Sequence, residues 1–201
     1  MDSAKIQLSP EELQLVQNAD WVLTKNKIIR KVYDLFGGLA TKIRYHAGLI
    51  RLPEEITGTV PKISRGESYK GLPYVMLDYP RFFSTNNIFA IRCFFWWGNY
   101  FSITLHLRGS YKNIFEKSIE KNIGLLEENN FSICISPKEW NHELEEGNYR
   151  LLKDLNEGAR DQIYKQAPFL KFSARIGFEQ WDEAADQLEK MFILLLRSVQ
   201  D

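Results

Sequence analysis

The sequence predicts an α+β fold, with a central antiparallel sheet of about five strands and helices packed mainly on one face. Three observations support this class. Short runs of aromatic and β-branched residues, bounded by Gly, Pro and Asn, fill residues 72–108 as consecutive strands do. Two further runs, at 131–136 and 169–176, alternate as later strands. Helical patterns lie at the start, the middle and the end of the chain.

The first helical region begins at Ser9-Pro10-Glu11-Glu12, where a capping residue precedes a proline and an acidic residue stands three positions after the cap. Apolar residues then recur at helical spacing over residues 10–36, and the sequence leaves open whether they form one helix or two. Gly37-Gly38 is expected to end this region. A short helix should follow, and residues 47–62 should form a connecting loop.

After the strands of residues 72–108, Ser110 begins a second helical region. The alternating strand at 131–136 follows, and then a polar segment, 137–166, with one or two short helices. The strand at 169–176 leads into a closing helix over residues 181–199, whose apolar side chains share one face. We therefore predict that the first, middle and last helices cover the apolar face of the sheet.

The hairpin around Gly98-Asn99 allows a sharper prediction. Directly opposed residues share a face, so only a loop of odd length puts the apolar rows of both strands on the same side. We therefore predict a three-residue loop, Gly98-Asn99-Tyr100, which pairs Trp97 with Phe101. The apolar rows are Phe89, Ile91, Cys93, Phe95 and Trp97 on the first strand, and Phe101, Ile103, Leu105 and Leu107 on the second.

The opposite face of this hairpin is polar, and we predict that it is a ligand-binding site. Cations, hydroxyls, an imidazole and an aromatic ring together suit a small anionic or aromatic molecule. The alternative is a face without a ligand, either solvated or covered by a loop. With the strand at 169–176, the candidate ligand-binding residues are Arg92, Trp96, Ser102, Thr104, His106, Arg108, Lys171 and Arg175.

Arg92 is the only charged residue between Ile88 and Trp97. A charged side chain among so many aromatics is unfavourable unless it reaches water, a carboxylate or an anionic ligand. Its planar guanidinium suits a carboxylate or a phosphate, so Arg92 should lie at the centre of the site. The alternative is an internal ion pair with Asp78, at the end of the preceding strand.

The segment 64–73 combines three charged residues with two glycines. It is interpreted either as an ordered functional loop or as a charged turn ahead of an edge strand. In the first interpretation, Arg65 and Tyr69 join the candidate ligand-binding residues.

Two other classes of function stay open. An enzyme could use His106 for acid–base chemistry, since an imidazole titrates near neutral pH, together with Arg92 and Asp78. A structural or assembly protein could associate through exposed aromatics around Trp96 or Tyr79. The three histidines lack metal-ligand spacing, and phosphate-loop and serine-elbow motifs are absent, so no metal or cofactor is predicted.

The composition of the 201 residues is that of one domain, 1–201, with 44% hydrophobic and 26% charged residues. The 26 basic and 26 acidic side chains cancel, which gives no electrostatic reason to expect nucleic acid or an anionic membrane as a partner. Met1–Lys5 lacks a signal-peptide pattern, and Cys93 and Cys134 are interpreted as buried thiols. We predict a cytoplasmic location, and the sequence allows an oligomer without indicating one.

The run Ile63–Pro80, followed by Phe94-Phe95-Trp96-Trp97, resembles small bacterial proteins of about this length. It is also similar to bacterial domains of unknown function in which an Arg and a Tyr-Lys-x-Leu-Pro turn, here Tyr69–Pro73, precede a central antiparallel sheet. The resemblance implies an α+β bacterial domain. It assigns no activity, and therefore no catalytic residue.

Overall fold

The computed structural model describes residues 6–200. Met1–Lys5, in which no signal peptide is predicted, and Asp201 lie outside the described residues. The strands are β1 (Lys62–Tyr69), β2 (Leu72–Phe83), β3 (Ile88–Trp96), β4 (Tyr100–Arg108), β5 (Ser132–Cys134), β6 (Tyr149–Leu151) and β7 (Phe169–Ile176). They form one seven-stranded antiparallel sheet in the order β1-β2-β3-β4-β7-β5-β6. The α+β class is confirmed, whereas the predicted count of about five strands is too low.

The two strands that the sequence did not predict are the edge strands β1 and β6. An edge strand is held by backbone hydrogen bonds to one neighbour, and it needs no alternating apolar pattern. Most side chains of β1 are exposed or half-buried, and β6 has only three residues. The segment 64–73 is therefore mostly edge strand itself, and its turn lies at Lys70-Gly71, where both residues have positive φ.

The helices are α1 (Pro10–Gln17), α2 (Ala19–Gly48), α3 (Glu54–Thr57), α4 (Ser110–Lys121), α5 (Ile123–Glu128), α6 (Glu157–Gln166) and α7 (Ala184–Ser198). None of the helices within residues 6–200 has both the length and the apolar character needed to cross a membrane. The predicted connecting loop 47–62 contains α3. The second helical region is two helices, separated at Asn122.

The N-terminal helical region is two helices, because Asn18 interrupts it with ψ of 85°. The Asn18 side chain accepts a hydrogen bond from the backbone N–H of Trp21 at 3.2 Å and so caps α2. The predicted end at Gly37-Gly38 is wrong, since α2 continues to Gly48. Phe36 and Leu39 are buried on both sides of the glycines, and this packing offsets a cost of about 1 kcal/mol per glycine.

The helices α2, α4 and α7 pack on the apolar face of the sheet, as predicted for the first, middle and last helices. The side chains of Phe101 and Leu105 on β4 are completely buried there. Burial of such a side chain contributes about 1.5–3 kcal/mol to stability. This layer is the main hydrophobic core, and all of the functional candidates except Arg65 lie on the other side of the sheet.

The β3–β4 hairpin has the predicted faces but a different register. Phe101 lies opposite Phe95, two residues away from its predicted partner Trp97. The loop is accordingly Trp97-Gly98-Asn99. The loop length is still odd, so both apolar rows share the helix-covered face. A contact with β2 explains this register shift, because the Trp97 N–H donates to the carbonyl of Pro73 at 3.0 Å. Trp97 therefore pairs with β2 and is not part of the β4 ladder.

Candidate functional site

A polar segment crosses the face of the sheet that carries the candidate residues. We call this segment, residues 135–148 between β5 and β6, the strap. Its two ends are joined, because the backbone N–H groups of Ile135 and Ser136 both donate to the carbonyl of Asn148, at 2.9 and 3.3 Å. The polar face is thus covered by a loop, which was the alternative to an open ligand site.

Arg92 lies beneath the strap and forms a bidentate ion pair with Asp78. Its Nε donates to Asp78 Oδ1 at 2.6 Å and its Nη2 donates to Oδ2 at 3.0 Å. The third guanidinium nitrogen, Nη1, lies 3.1 Å from Nε2 of His142 on the strap. Since arginine can only donate, His142 accepts this hydrogen bond and must be neutral. Burial, with Lys171 and Arg92 nearby, holds the pKa of His142 well below its usual value.

Lys171 attaches the strap to β7. Its side chain is 1% exposed, and Nζ donates to the backbone carbonyls of Glu139 and Asn141 at 2.9 and 2.7 Å. Burial lowers the pKa of Lys171 to about 8, because desolvation disfavours the ammonium form. A buried amine held by two strap carbonyls fixes the position of this segment over the sheet.

His106 and Arg108 share one strap carboxylate. His106 Nε2 lies 2.9 Å from Oε1 of Glu139, and Arg108 Nη1 donates to Oε2 at 3.2 Å. Burial lowers the pKa of His106, and the hydrogen bond to Glu139 opposes this effect only in part. The hydrogen bond from His106 also lowers the pKa of Glu139. A neutral His106 imidazole that donates to an ionised Glu139 carboxylate is consistent with the lowered pKa of both groups.

Glu143 attaches the other end of the strap to the β1–β2 turn. The Tyr69 hydroxyl donates to Glu143 at 2.6 Å, and Lys70 forms an ion pair with it at 2.9 Å. Burial, followed by the hydrogen bond to Glu143, raises the pKa of Tyr69. The backbone N–H of Leu144 donates to the Tyr100 hydroxyl at 2.8 Å. Tyr69 was predicted to be a ligand-binding residue of an ordered loop. In the structure its hydroxyl lies on the polar face, where it contacts the strap.

Of the remaining candidates, Thr104 lies beside Arg92 and His106 on the covered face, whereas Arg65 does not. Thr104 and Ser173 share a buried hydrogen bond of 2.8 Å between their hydroxyls, and Ser102 is buried opposite Arg175. Arg65 lies on the helix-covered side, with its guanidinium over the ring of Tyr33 at 5.9 Å. The structure therefore does not place Arg65 with the rest of the set.

The aromatics expected at the surface are buried. Trp96 is 6% exposed and donates through Nε1 to the carbonyl of Tyr69 at 3.2 Å, and Tyr79 is 3% exposed. Trp96 and Tyr79 therefore offer no exposed surface for association, and the assembly class itself stays a prediction. The strap and the β1–β2 turn cover Trp96, a contact that no local pattern in the sequence indicates.

The space beneath the strap is very small. A cavity of about 10 Å³ lies beside Arg92, between His106, His142 and Lys171. This volume is close to the minimum that holds one water molecule. The covered centre of the face, including the proposed acid–base set of His106, Arg92 and Asp78, has no room for a ligand while the strap stays in place.

A much larger opening lies at the margin of the same face, and Arg175 lines it. We call this opening of about 830 Å³ the edge groove. It exists because β5 pairs with β7 only at Ser132 and Ile133, which leaves the β7 edge from Ala174 to Ile176 without a strand neighbour on that side. Met191 of α7 and Tyr149 also line it.

The charged side chains of the edge groove form no ion pairs, and the Arg175 guanidinium lies over the ring of Tyr100 at 6.0 Å. The five that line it are Arg150, Arg175, Glu145, Glu146 and Asp154. None of them belongs to an ion pair within residues 6–200. The hydroxyl of Tyr149 is buried and also lacks a hydrogen-bond partner within that range. Unmatched charges of both signs therefore surround an opening of ligand size.

The sequence-based prediction missed the strap residues, above all Glu139, His142 and Glu143. The segment 137–166 is predicted to be polar with one or two short helices, and this pattern does not indicate that the segment covers the sheet. One signal was available. Four cations on one sheet face require carboxylates, and residues 139–146 contain four glutamates. Charge balance would have indicated the segment that covers the face.

No protein-family model, curated protein or solved structure matches this chain. The resemblance to small bacterial proteins and the cytoplasmic location therefore stay predictions. The His, Cys, Asp and Glu side chains of the described chain form no group of three that could hold a metal ion. The function is argued from the geometry alone.

Proposed function

We propose that the protein is a binding module whose ligand lies in the edge groove beside Arg175. The ligand that fits best is a short extended peptide with both an acidic and a basic side chain. One contrast carries this proposal. Charged groups beneath the strap, such as Arg92 and Lys171, are held by hydrogen bonds or ion pairs, whereas the five charged groups of the groove form no ion pair, and Arg175 lies over the ring of Tyr100.

The backbone of β7 supports a peptide as the ligand. An unpaired strand edge presents N–H and C=O groups that an extended peptide can bind as an additional strand. Residues Ala174 to Ile176 have no strand neighbour on this side, although only Arg175 among them is exposed, and the groove beside them has about 830 Å³. This volume lies within the range of about 300–1,000 Å³ that is usual for ligand sites.

The charges of the groove support a ligand of mixed charge. The guanidinium of Arg175 suits a carboxylate, which keeps the anionic contact predicted from the sequence. Glu145 and Glu146 of the strap would bind a lysine or arginine of the same peptide. Because acidic residues outnumber basic ones by three to two, a purely anionic ligand is disfavoured.

The enzyme alternative has less support. A substrate for the set of His106, Arg92 and Asp78 would have to reach a face where the open space is about 10 Å³. The strap would have to leave, breaking its contacts to Lys171, His106 and Tyr69. Binding in the edge groove requires no such rearrangement.

A thermal-shift assay with synthetic pentapeptides tests the proposal. The peptide Val-Glu-Val-Lys-Val should raise the Tm, whereas peptides with two glutamates, two lysines or only serines should do so weakly. A ligand at about one hundred times its Kd stabilises by about 2.7 kcal/mol, or about 5–10 °C for a chain of this size. We expect Arg175→Gln to remove the shift.

Arg108→Gln is the matched control, because Arg108 lies on the same face and pairs with Glu139 outside the groove. It should retain the peptide-induced shift. The proposal fails if the mixed-charge peptide produces no shift, or if Arg175→Gln and the native protein respond equally.

A further inference from the structure

The N-terminal arm, which we define as residues 10–28, extends from the core without covering it. Within this arm α1 has no buried residue, and the first buried residue of α2 is Ile29. Six of its large apolar side chains are each exposed by about half or more of their surface, whereas Ile28 next to the core is half-buried. The six are Leu13, Leu15, Val16, Trp21, Val22 and Leu23.

Exposed apolar residues that occur singly need no explanation, but six within residues 13–23 form an unusual concentration. Part of this surface continues the core stripe of α2. Val22 precedes the buried Ile29 by seven residues, or about two helical turns, so both lie on the same side of the helix. The stripe therefore extends past the main core, where Trp21 and Lys25 contact Trp97 and Glu67, whereas Val22 stays exposed.

The root of the arm is fixed to the sheet. The ring of Trp21 lies 6.2 Å from that of Trp97, and Lys25 forms an ion pair with Glu67 of β1 at 2.7 Å. The exposed apolar side chains are thus presented in a defined direction, and a partner would not have to order the root on binding.

The charges along the arm identify the partner. The acidic residues Glu11, Glu12 and Asp20 come first, and residues 9–24 contain no Lys or Arg. The basic residues follow, and residues 21–33 contain no Asp or Glu. They are Lys25 and Lys27 in the arm and Arg30 and Lys31 directly after it, of which Lys25 already pairs with Glu67 of β1. An arm with an acidic outer part and a basic inner part is complementary to a second copy of itself laid in the opposite direction.

We propose that two copies of this chain associate through their N-terminal arms in an antiparallel, two-fold arrangement. The apolar side chains of each arm would pack against those of the other, and each acidic part would face a basic part. A parallel arrangement would place like charges together. The surface is separate from the edge groove, so this inference does not depend on the proposed peptide.

Analytical ultracentrifugation of the full chain tests the association. The native protein should sediment as a dimer, and the double variant Leu13→Glu with Val16→Glu should sediment as a monomer. Because α1 has no buried residue, this variant should keep the unfolding midpoint of an isolated protomer. Leu49→Glu changes an equally exposed apolar residue outside the arm and should stay dimeric.

A charge exchange tests the antiparallel direction. Variant one carries Glu11→Lys and Asp20→Lys, and variant two carries Lys27→Glu and Lys31→Glu. Each alone should associate at least tenfold more weakly than the native protein, since like charges would meet. Mixed together, they should restore a heterodimer, because each arm again faces the opposite charge.

Three results would overturn the proposal. The native chain could be monomeric from micromolar to millimolar concentration, or the Leu13 and Val16 variant could remain dimeric. A monomer that binds anionic lipid vesicles through the arm would assign the surface to membranes instead. If both charge variants associate as the native protein does, or if mixing restores nothing, the antiparallel arrangement is wrong.

Discussion

At the scale of single residues, His142 shows how burial controls protonation beneath the strap. Its Nε2 accepts from Arg92, and desolvation together with Lys171, Arg92 and His106 lowers its pKa. The usual histidine pKa of about 6.5 applies to the unfolded chain. Above that pH both states are neutral at this site. Below it the unfolded chain binds a proton that the folded chain does not, so acidification destabilises the fold.

We therefore expect the free energy of unfolding to fall between pH 7.5 and pH 5.5, with His106 acting in the same direction because its pKa is also lowered. The variant His142→Gln keeps a hydrogen-bond acceptor for Arg92 but does not titrate. Urea unfolding at both pH values should show a smaller loss for this variant than for the native protein. Both proteins share all carboxylates, so the difference isolates His142, and equal losses would contradict this account.

The pair of Arg92 and Asp78 should contribute to stability without any ligand. Arg92→Met leaves a buried carboxylate unpaired, and Asp78→Asn leaves a guanidinium without its carboxylate. Each should lower the free energy of unfolding by about 3 kcal/mol. In urea, the double variant should lose clearly less than the sum of the two, because both single losses come from one pair. Additive losses, or an unchanged midpoint for Arg92→Met, would disprove the pairing.

At the scale of elements, the strap depends on the sheet for its position, because it has little regular structure of its own. Lys171 holds it through two backbone carbonyls at 2.9 and 2.7 Å. Local opening of such a segment exposes its backbone to proteases. Lys138 is an exposed trypsin site within the strap and reports on this opening.

We expect Lys171→Met to increase the rate of tryptic cleavage after Lys138, since methionine cannot donate to the two strap carbonyls. Lys112→Met is the matched control, because the Lys112 amine also donates to two backbone carbonyls, those of Tyr164 and Ala167, which are not part of the strap. That variant should be cleaved after Lys138 at the native rate. If Lys171→Met is no more sensitive at that bond, Lys171 does not hold the strap.

The elements that the sequence predicted are those with a strong local pattern. The alternation in β3 and β4 fixed which residues face the helices, although the register was two residues off because the contact of Trp97 with Pro73 is not local. β1 was not predicted because an edge strand carries no apolar period. The continuation of α2 through Gly37-Gly38 depends on packing against the sheet, which propensity does not contain.

The same distinction applies to the site. Arg92, His106 and Lys171 were correctly placed on one sheet face, because strand alternation is local. Their partners Glu139 and His142 come from a segment without a period, so the closure of that face could not be predicted from pattern. The edge groove depends on where β5 stops pairing with β7, a feature of tertiary structure alone.

At the scale of the whole molecule, the sheet is covered on both faces, by helices on one side and by the strap on the other. The two proposed partner surfaces therefore lie at its margins, in the edge groove and along the N-terminal arm. The net charge of zero gives no indication of these two surfaces, since each of them carries both acidic and basic side chains. Composition excluded a strong field over the whole protein but gave no information about local patches.

The central claim is that the edge groove binds an extended peptide of mixed charge. An NMR titration of isotope-labelled protein with Val-Glu-Val-Lys-Val tests it most directly, because the backbone amide signals report binding residue by residue. We predict that the largest shifts fall on Ala174, Arg175 and Ile176 of β7 and on Glu145 to Gly147 of the strap. Saturable shifts confined to other elements, or no shifts at all, would contradict the claim.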